Sequence, residues 1–127
     1  MNYGLSKILE IPHAKAIELV TEELKKEGFG ILTTIDVKDT LKKKLGVDFP
    51  PYVILGACNP SFAYQALQSE IEIGLFLPCN VIIYEKAGRT HIAVFDPAFL
   101  STIISTPKIK EIANLLREKL ERVLQNL

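Results

Sequence analysis

The sequence has no excess charge of either sign: Lys plus Arg number 15, and Asp plus Glu number 15. That balance leaves no electrostatic footprint for a nucleic acid, and none is expected as a partner. No apolar run approaches the roughly 18 residues that cross a bilayer, so no membrane partner is expected either. The opening residues, MNYGLSKILEIPHAK, lack the charged-then-apolar pattern of a secretory signal, and the cytoplasm is the expected location. Tryptophan is absent while Ile, Lys and Glu are abundant, a composition that suits a thermophile. No Gly/Ser-rich linker, composition shift or internal repeat divides the chain, so residues 1–127 read as a single domain. No G-x-S-x-G, H-E-x-x-H, P-loop or dinucleotide fingerprint is present, which removes several enzyme classes. Cysteine is scarce: there are two, and they are not spaced C-x-x-C, so nothing local enforces a thioredoxin-like mechanism.

What is present is a foldable core. Hydrophobic residues make up 48% and charged residues 24%, which places the chain among globular domains rather than disordered ones. Its length suffices for a core without metal or disulfide staples.

Local patterns predict the elements in turn. Leu5 to Ile11 alternates as a strand. Pro12 suits a helix first turn, and Ile17, Val20 and Leu24 recur at helical spacing before Gly28. The polar face of this helix, including Glu22, Glu23, Lys25, Lys26 and Glu27, reads as solvated. Phe29 to Ile35 is rich in aromatic and β-branched residues and predicts a second strand. Asp36 can cap a short helix holding Val37, Leu41 and Leu45, with Gly46 as its stop. Its Lys42-Lys43-Lys44 run is read as a solvated face.

Tyr52 to Ala57 is nearly all apolar, as in a strand buried on both faces. Asn59-Pro60 then marks a helix start that runs to about Glu70. Asn80 to Lys86 and His91 to Asp96 are strand runs joined by Ala87-Gly88-Arg89, which predicts a hairpin. Ala98 to Ile104 suggests one or two helical turns. Thr106 and Pro107 open a last helix whose stripe runs from Ile109 to Leu127, with Glu118 and Arg122 ordered for an i,i+4 pair. The fold expected is α+β: a two-layer sandwich of a mixed, about five-stranded sheet with helices mainly on one face.

Both cysteines lie in one stretch, residues 52–80, in near-mirrored contexts. Cys58 precedes Asn59-Pro60, and Cys79 stands between Pro78 and Asn80. Cys58 sits just before a helix start, where partial positive charge favours a thiolate or an anion. Asn59 can cap that helix or present its amide to a ligand. If the flanking strands are neighbours, the two Cys-Asn corners meet at one sheet end. The pair then reads as a disulfide, as a redox or sulfur-handling thiol pair, or as two inert core cysteines. Cys58, Cys79, His91 and Asp96 are the only plausible metal donors. They have no recognised metal spacing, and no metal or cofactor is expected. His91 is the one histidine placed to serve a cysteine as base, or it is a strand residue. Asp96 caps a turn or offers a carboxylate. Tyr52 and Tyr84 either line a pocket or pack on the sheet.

The stretch PYVILGACNPSFAYQAL, the later IGLFLPCNVIIYE, the Asp96-Pro97 pair and the upstream GFGILTTIDVKDTLKKKLG together resemble the DUF302 family, from about Leu5 to Ile104. The resemblance implies a compact α+β domain and a homodimer, and implies no activity. After Asp96-Pro97 this chain has Ala98, Phe99 and Leu100 where the family often has methionines, so no thioether role carries over.

The leading expectation is a small domain that binds a small ligand or anion. Cys58, Asn59, Cys79 and Asn80 would form the rim of the site, with Asp96 nearby. One alternative is a thiol-dependent redox or sulfur-transfer enzyme acting through Cys58 or Cys79. The other is a structural or partner-binding module using the last helix or a sheet edge.

Overall fold

A computed structural model describes residues 2–127. Strand β1 (Gly4–Leu9) is followed by helix α1 (His13–Lys26), strand β2 (Gly30–Asp36) and helix α2 (Val37–Leu45). Strand β3 (Tyr52–Cys58) leads into helix α3 (Pro60–Ser69) and a 3-10 segment, Ile71–Phe76. Strands β4 (Cys79–Lys86) and β5 (Arg89–Phe95) form the expected hairpin. A second 3-10 segment, Pro97–Thr102, precedes helix α4 (Pro107–Gln125).

The five strands form one open sheet in the order β1-β5-β4-β3-β2. The α+β, two-layer reading is borne out, but the sheet is antiparallel in every pair rather than mixed. Alternating strands and helices suggest parallel crossovers. Here β1 and β2, the two strands joined by α1, do run in the same direction. They lie at opposite edges, so α1 crosses the sheet and no parallel pair forms.

The main core lies between this sheet and helices α1 and α4. Ala16, Val20 and Leu24 of α1 and Leu120, Val123 and Leu124 of α4 meet Val53, Leu55, Val81, Ile83, Ile92 and Val94. These strand positions alternate, as one-sided burial of a pleated strand requires. A smaller cluster of Ala66, Ile73, Ile109 and Ile112 joins α3, the first 3-10 segment and the start of α4. Thr90 is the buried polar residue of the core, and its hydroxyl donates to the Ile11 carbonyl at 2.6 Å.

Caps and ties fix the helices in place. Asp36 accepts from the Asp39 amide at 2.9 Å, as its position before α2 predicts. Lys7 reaches across the sheet end to the carbonyls of Leu124 and Leu127, at 3.0 and 2.9 Å. Arg122 does not take Glu118 as its close partner. It reaches Glu27 at the end of α1, at 3.0 Å, and this contact pulls the Glu27 carboxyl below its ordinary pKa. Glu27 therefore leaves the solvated face expected for it and ties α1 to α4.

Candidate functional site

The hydrogen-bond register of β3 and β4 settles whether the two Cys-Asn corners meet. Ala57 stands opposite Cys79. Cys58 is one residue further along, so its Cα lies roughly 6 Å from that of Cys79 by sheet spacing. Both thiols are free.

Beneath this corner lies a cavity of about 40 Å³. The strand ends supply Ala57, Cys58 and Cys79; α3 supplies Phe62, Ala63 and Ala66; α4 supplies Ile109, Ile112 and Ala113. Ile73 and Phe76 of the first 3-10 segment close another side. The lining contains no charged side chain, and its polar groups are Cys58, Asn59 and Cys79. The volume is room for about three water molecules.

Burial decides the state of one thiol. Desolvation, with a smaller contribution from the neighbouring Cys58, pushes the Cys79 pKa up to about 11. At neutral pH Cys79 is therefore an S–H group and not a thiolate.

Asn59 occupies the N-cap position of α3, yet its side chain makes no cap bond. Its Nδ2 instead donates to the Glu27 carbonyl at 3.3 Å, across the corner between α1 and β2. Gly28 makes this approach possible. It has φ +86°, and a Cβ there would stand 3.2 Å from Asn59 Nδ2.

The other expected site residues lie elsewhere. Asn80 follows Cys79 directly, so strand alternation turns it to the opposite face of the sheet. There it borders a shallow depression with Ile82, Ala93 and Phe95. Asp96 follows Phe95 and precedes Pro97, both of which line the cavity, but its own carboxylate is engaged. It accepts from the Ala98 amide at 2.9 Å and from Arg117 Nε at 3.1 and 3.2 Å. His91 stacks on Tyr84, which stacks on Tyr52, with ring centroids 4.9 and 5.3 Å apart. Tyr84 is five residues from Cys79 along β4, about 17 Å, so His91 is not placed to act as a base for either thiol. His13 instead donates from Nε2 to the Ile83 carbonyl at 2.7 Å.

The apolar wall was the part that residue chemistry alone did not reveal. Phe62 and Ala66 carry a helical inner-face signal, and so do Ile109 and Ile112, but no local pattern shows that the two faces converge on the cysteines.

A family model described as a domain of unknown function, DUF302, matches residues 6–127. The chain belongs to the DUF302 family. Its fold is similar to that in a crystal structure of an uncharacterized conserved DUF302 protein from Bacillus stearothermophilus. That protein is 34% identical, with a TM-score of 0.91, and the match covers 99% of this chain and 98% of the other. No curated protein matches the sequence. Family membership thus accounts for the fold. No helix is long and apolar enough to cross a membrane among the described residues.

Proposed function

We propose that this DUF302 domain binds a small, neutral, mainly apolar ligand, or the apolar end of a larger one, in the cavity under the Cys58–Cys79 corner. The observation that carries this reading is the lining: apolar on every side, uncharged throughout, with Cys58, Asn59 and Cys79 gathered at one edge. An anion would lose its hydration there and find no cation to replace it, which costs far more than a few hydrogen bonds return. Asn80 and Asp96 take no direct part in the site as proposed. The thiol-enzyme alternative draws less support from the geometry, because Cys79 is protonated at neutral pH and no histidine stands beside the corner.

Xenon is a probe of suitable size and neutrality. Under pressure it should give saturable methyl chemical-shift changes at Ile73, Ile109 and Ile112. The Ala113→Leu variant, which fills the cavity, should lose them while keeping its fold by circular dichroism. Linear, non-saturating shifts in the wild type would remove the reading.

We also propose that the domain pairs with a second copy through the bare face of the sheet. Ile54, Ile82 and Ala93 point to that face and are only half covered, and Ile8 and Ile35 at its edges are both 47% exposed. Five strands, about 4.8 Å apart, and about five residues of length make a footprint of roughly 24 by 17 Å. With its pleated side chains, such a surface on each of two copies approaches the low end of stable interfaces. The centre of this face carries no charge, which suits an identical copy. Ile82→Lys should convert a sedimenting dimer to a monomer without loss of helix signal. A wild type that remains monomeric at high micromolar concentration would refute the pairing.

A further inference from the structure

We propose that Cys58 and Cys79 form a dithiol site, in the wall of the cavity, for a neutral trivalent metalloid hydroxide, the class to which methylarsonous acid belongs. This rests on the cavity admitting small neutral ligands.

Three observations select that class. The two cysteines line one small cavity from the ends of adjacent strands, and the Cys58 thiol stands near enough to raise the pKa of Cys79, with Cα atoms roughly 6 Å apart by sheet spacing. They are the only nucleophilic side chains in the lining. The lining also has no charged side chain, so any species that arrives, and any product that forms, is favoured when neutral.

A metal cation fails the last condition. It would bring its charge into an apolar wall and would require both thiols to lose protons to water. Burial already holds the Cys79 proton in place. A further ligand is also missing: among the described residues no group of three or more His, Cys, Asp or Glu side chains could hold a metal ion.

A metalloid hydroxide meets the condition at every stage. Each S–H bond breaks as an As–S bond forms, and the thiol proton leaves with a hydroxyl of arsenic as water. One methylarsonous acid and two thiols give one methylarsenic dithiolate and two waters. Arsenic stays trivalent, both sulfurs stay at the thiol oxidation level, and no charge is left in the cavity. The methyl group lies against the apolar side formed by Ile73, Ile109 and Ile112.

The test uses methylarsonous acid on the full chain, read by native mass spectrometry and by iodoacetamide labelling after rapid denaturation. The expected result is one arsenical per chain, with two waters lost and both cysteines protected together. Cys58→Ala and Cys79→Ala, each confirmed as folded, should bind at least 100-fold more weakly, because a single As–S bond reverses readily. Equal binding by the wild type and either variant would overturn the proposal, as would protection of only one cysteine. Xenon saturation in the wild type without an arsenical adduct would reject the dithiol site alone. Loss of both signals would reject the cavity reading with it.

Discussion

Cys79→Ala should retain stability at high pH that the wild-type protein loses. The Cys79 pKa is raised by burial to about 11 in the folded chain. In the unfolded chain an ordinary thiol titrates near pH 8.5. Between these values the folded state holds a proton that the unfolded state has released. Unfolding then becomes easier with each rise in pH, and the loss is complete once the folded thiol ionises. A gap of about 2.5 pH units corresponds to about 3 kcal/mol. Urea melts at pH 8 and pH 10.5 would measure most of it. Tyrosine and lysine titrations are common to both proteins and cancel in the comparison. The variant begins lower, because a buried sulfur is lost, but its slope with pH should be shallower. Parallel slopes would show that Cys79 is not held as a protonated group. The same burial sets its chemistry: at pH 8 about one thiol in a thousand is ionised, so alkylation of Cys79 should be roughly two orders of magnitude slower than that of a free thiol.

Gly56→Val should destabilise the domain by about 3 kcal/mol, at the upper end of overpacking costs. Gly56 lies in the middle of β3, opposite Asn80 on β4 and Thr33 on β2. A Cβ at this position would run into Thr33 Oγ1 and would stand 2.8 Å from Pro78 Cγ. The threonine can rotate, but the proline ring is part of the corner that delivers Cys79. The added side chain would therefore force β2 away from β3 or displace the Cys79 corner. Gly30→Ala is the matching control in the neighbouring strand, since nothing lies within 4 Å of its added methyl. That change should be neutral or slightly stabilising, because it restricts the unfolded chain. Thermal or urea unfolding of the two variants would decide the point. A Gly56→Val protein as stable as Gly30→Ala would mean that the corner yields freely.

Much of this architecture is legible one element at a time. Pro60 and Pro107 stand at the first positions of α3 and α4, Asp36 caps α2, and Ala87-Gly88 turns the hairpin, each for a local reason. The first 3-10 segment is not legible in this way. In IEIGLF, Ile73 is buried while Ile71 and Leu75 are 76% and 82% exposed, so no single period describes the run. Strand direction was also hidden, because a helix between two strands does not show how far apart they finally lie.

The candidate site divides along the same line. The nearness of Cys58, at the end of β3, to Cys79, at the start of β4, follows once the two strands are neighbours. Asn80 was expected beside them because it adjoins Cys79 in sequence, but in a strand adjacency means opposite faces. Asn59 occupies the expected position while its side chain serves another element. That bond depends on Gly28, a residue 31 positions earlier, which no local pattern connects to it. Asp96 and Arg117 find each other only after α4 has docked.

The placement of β1 has a consequence for assembly during synthesis. β1 is made before the other four strands of the sheet, yet Leu9 must wait for Thr90 and Gly4 for Phe95 before it can pair. Until then β2, β3 and the β4–β5 hairpin can zip up in succession, each against a neighbour already made. Strand β1, with Leu5, Ile8 and Leu9, stays unpaired until β5 has been made. Its late return covers the outer edge of β5, and the Lys7 clasp at the end of α4 can form only after Leu124 and Leu127 have emerged. The outer edge of β5 is thus the last to be covered, and it is where a stalled or truncated chain would be most prone to pair with the wrong strand.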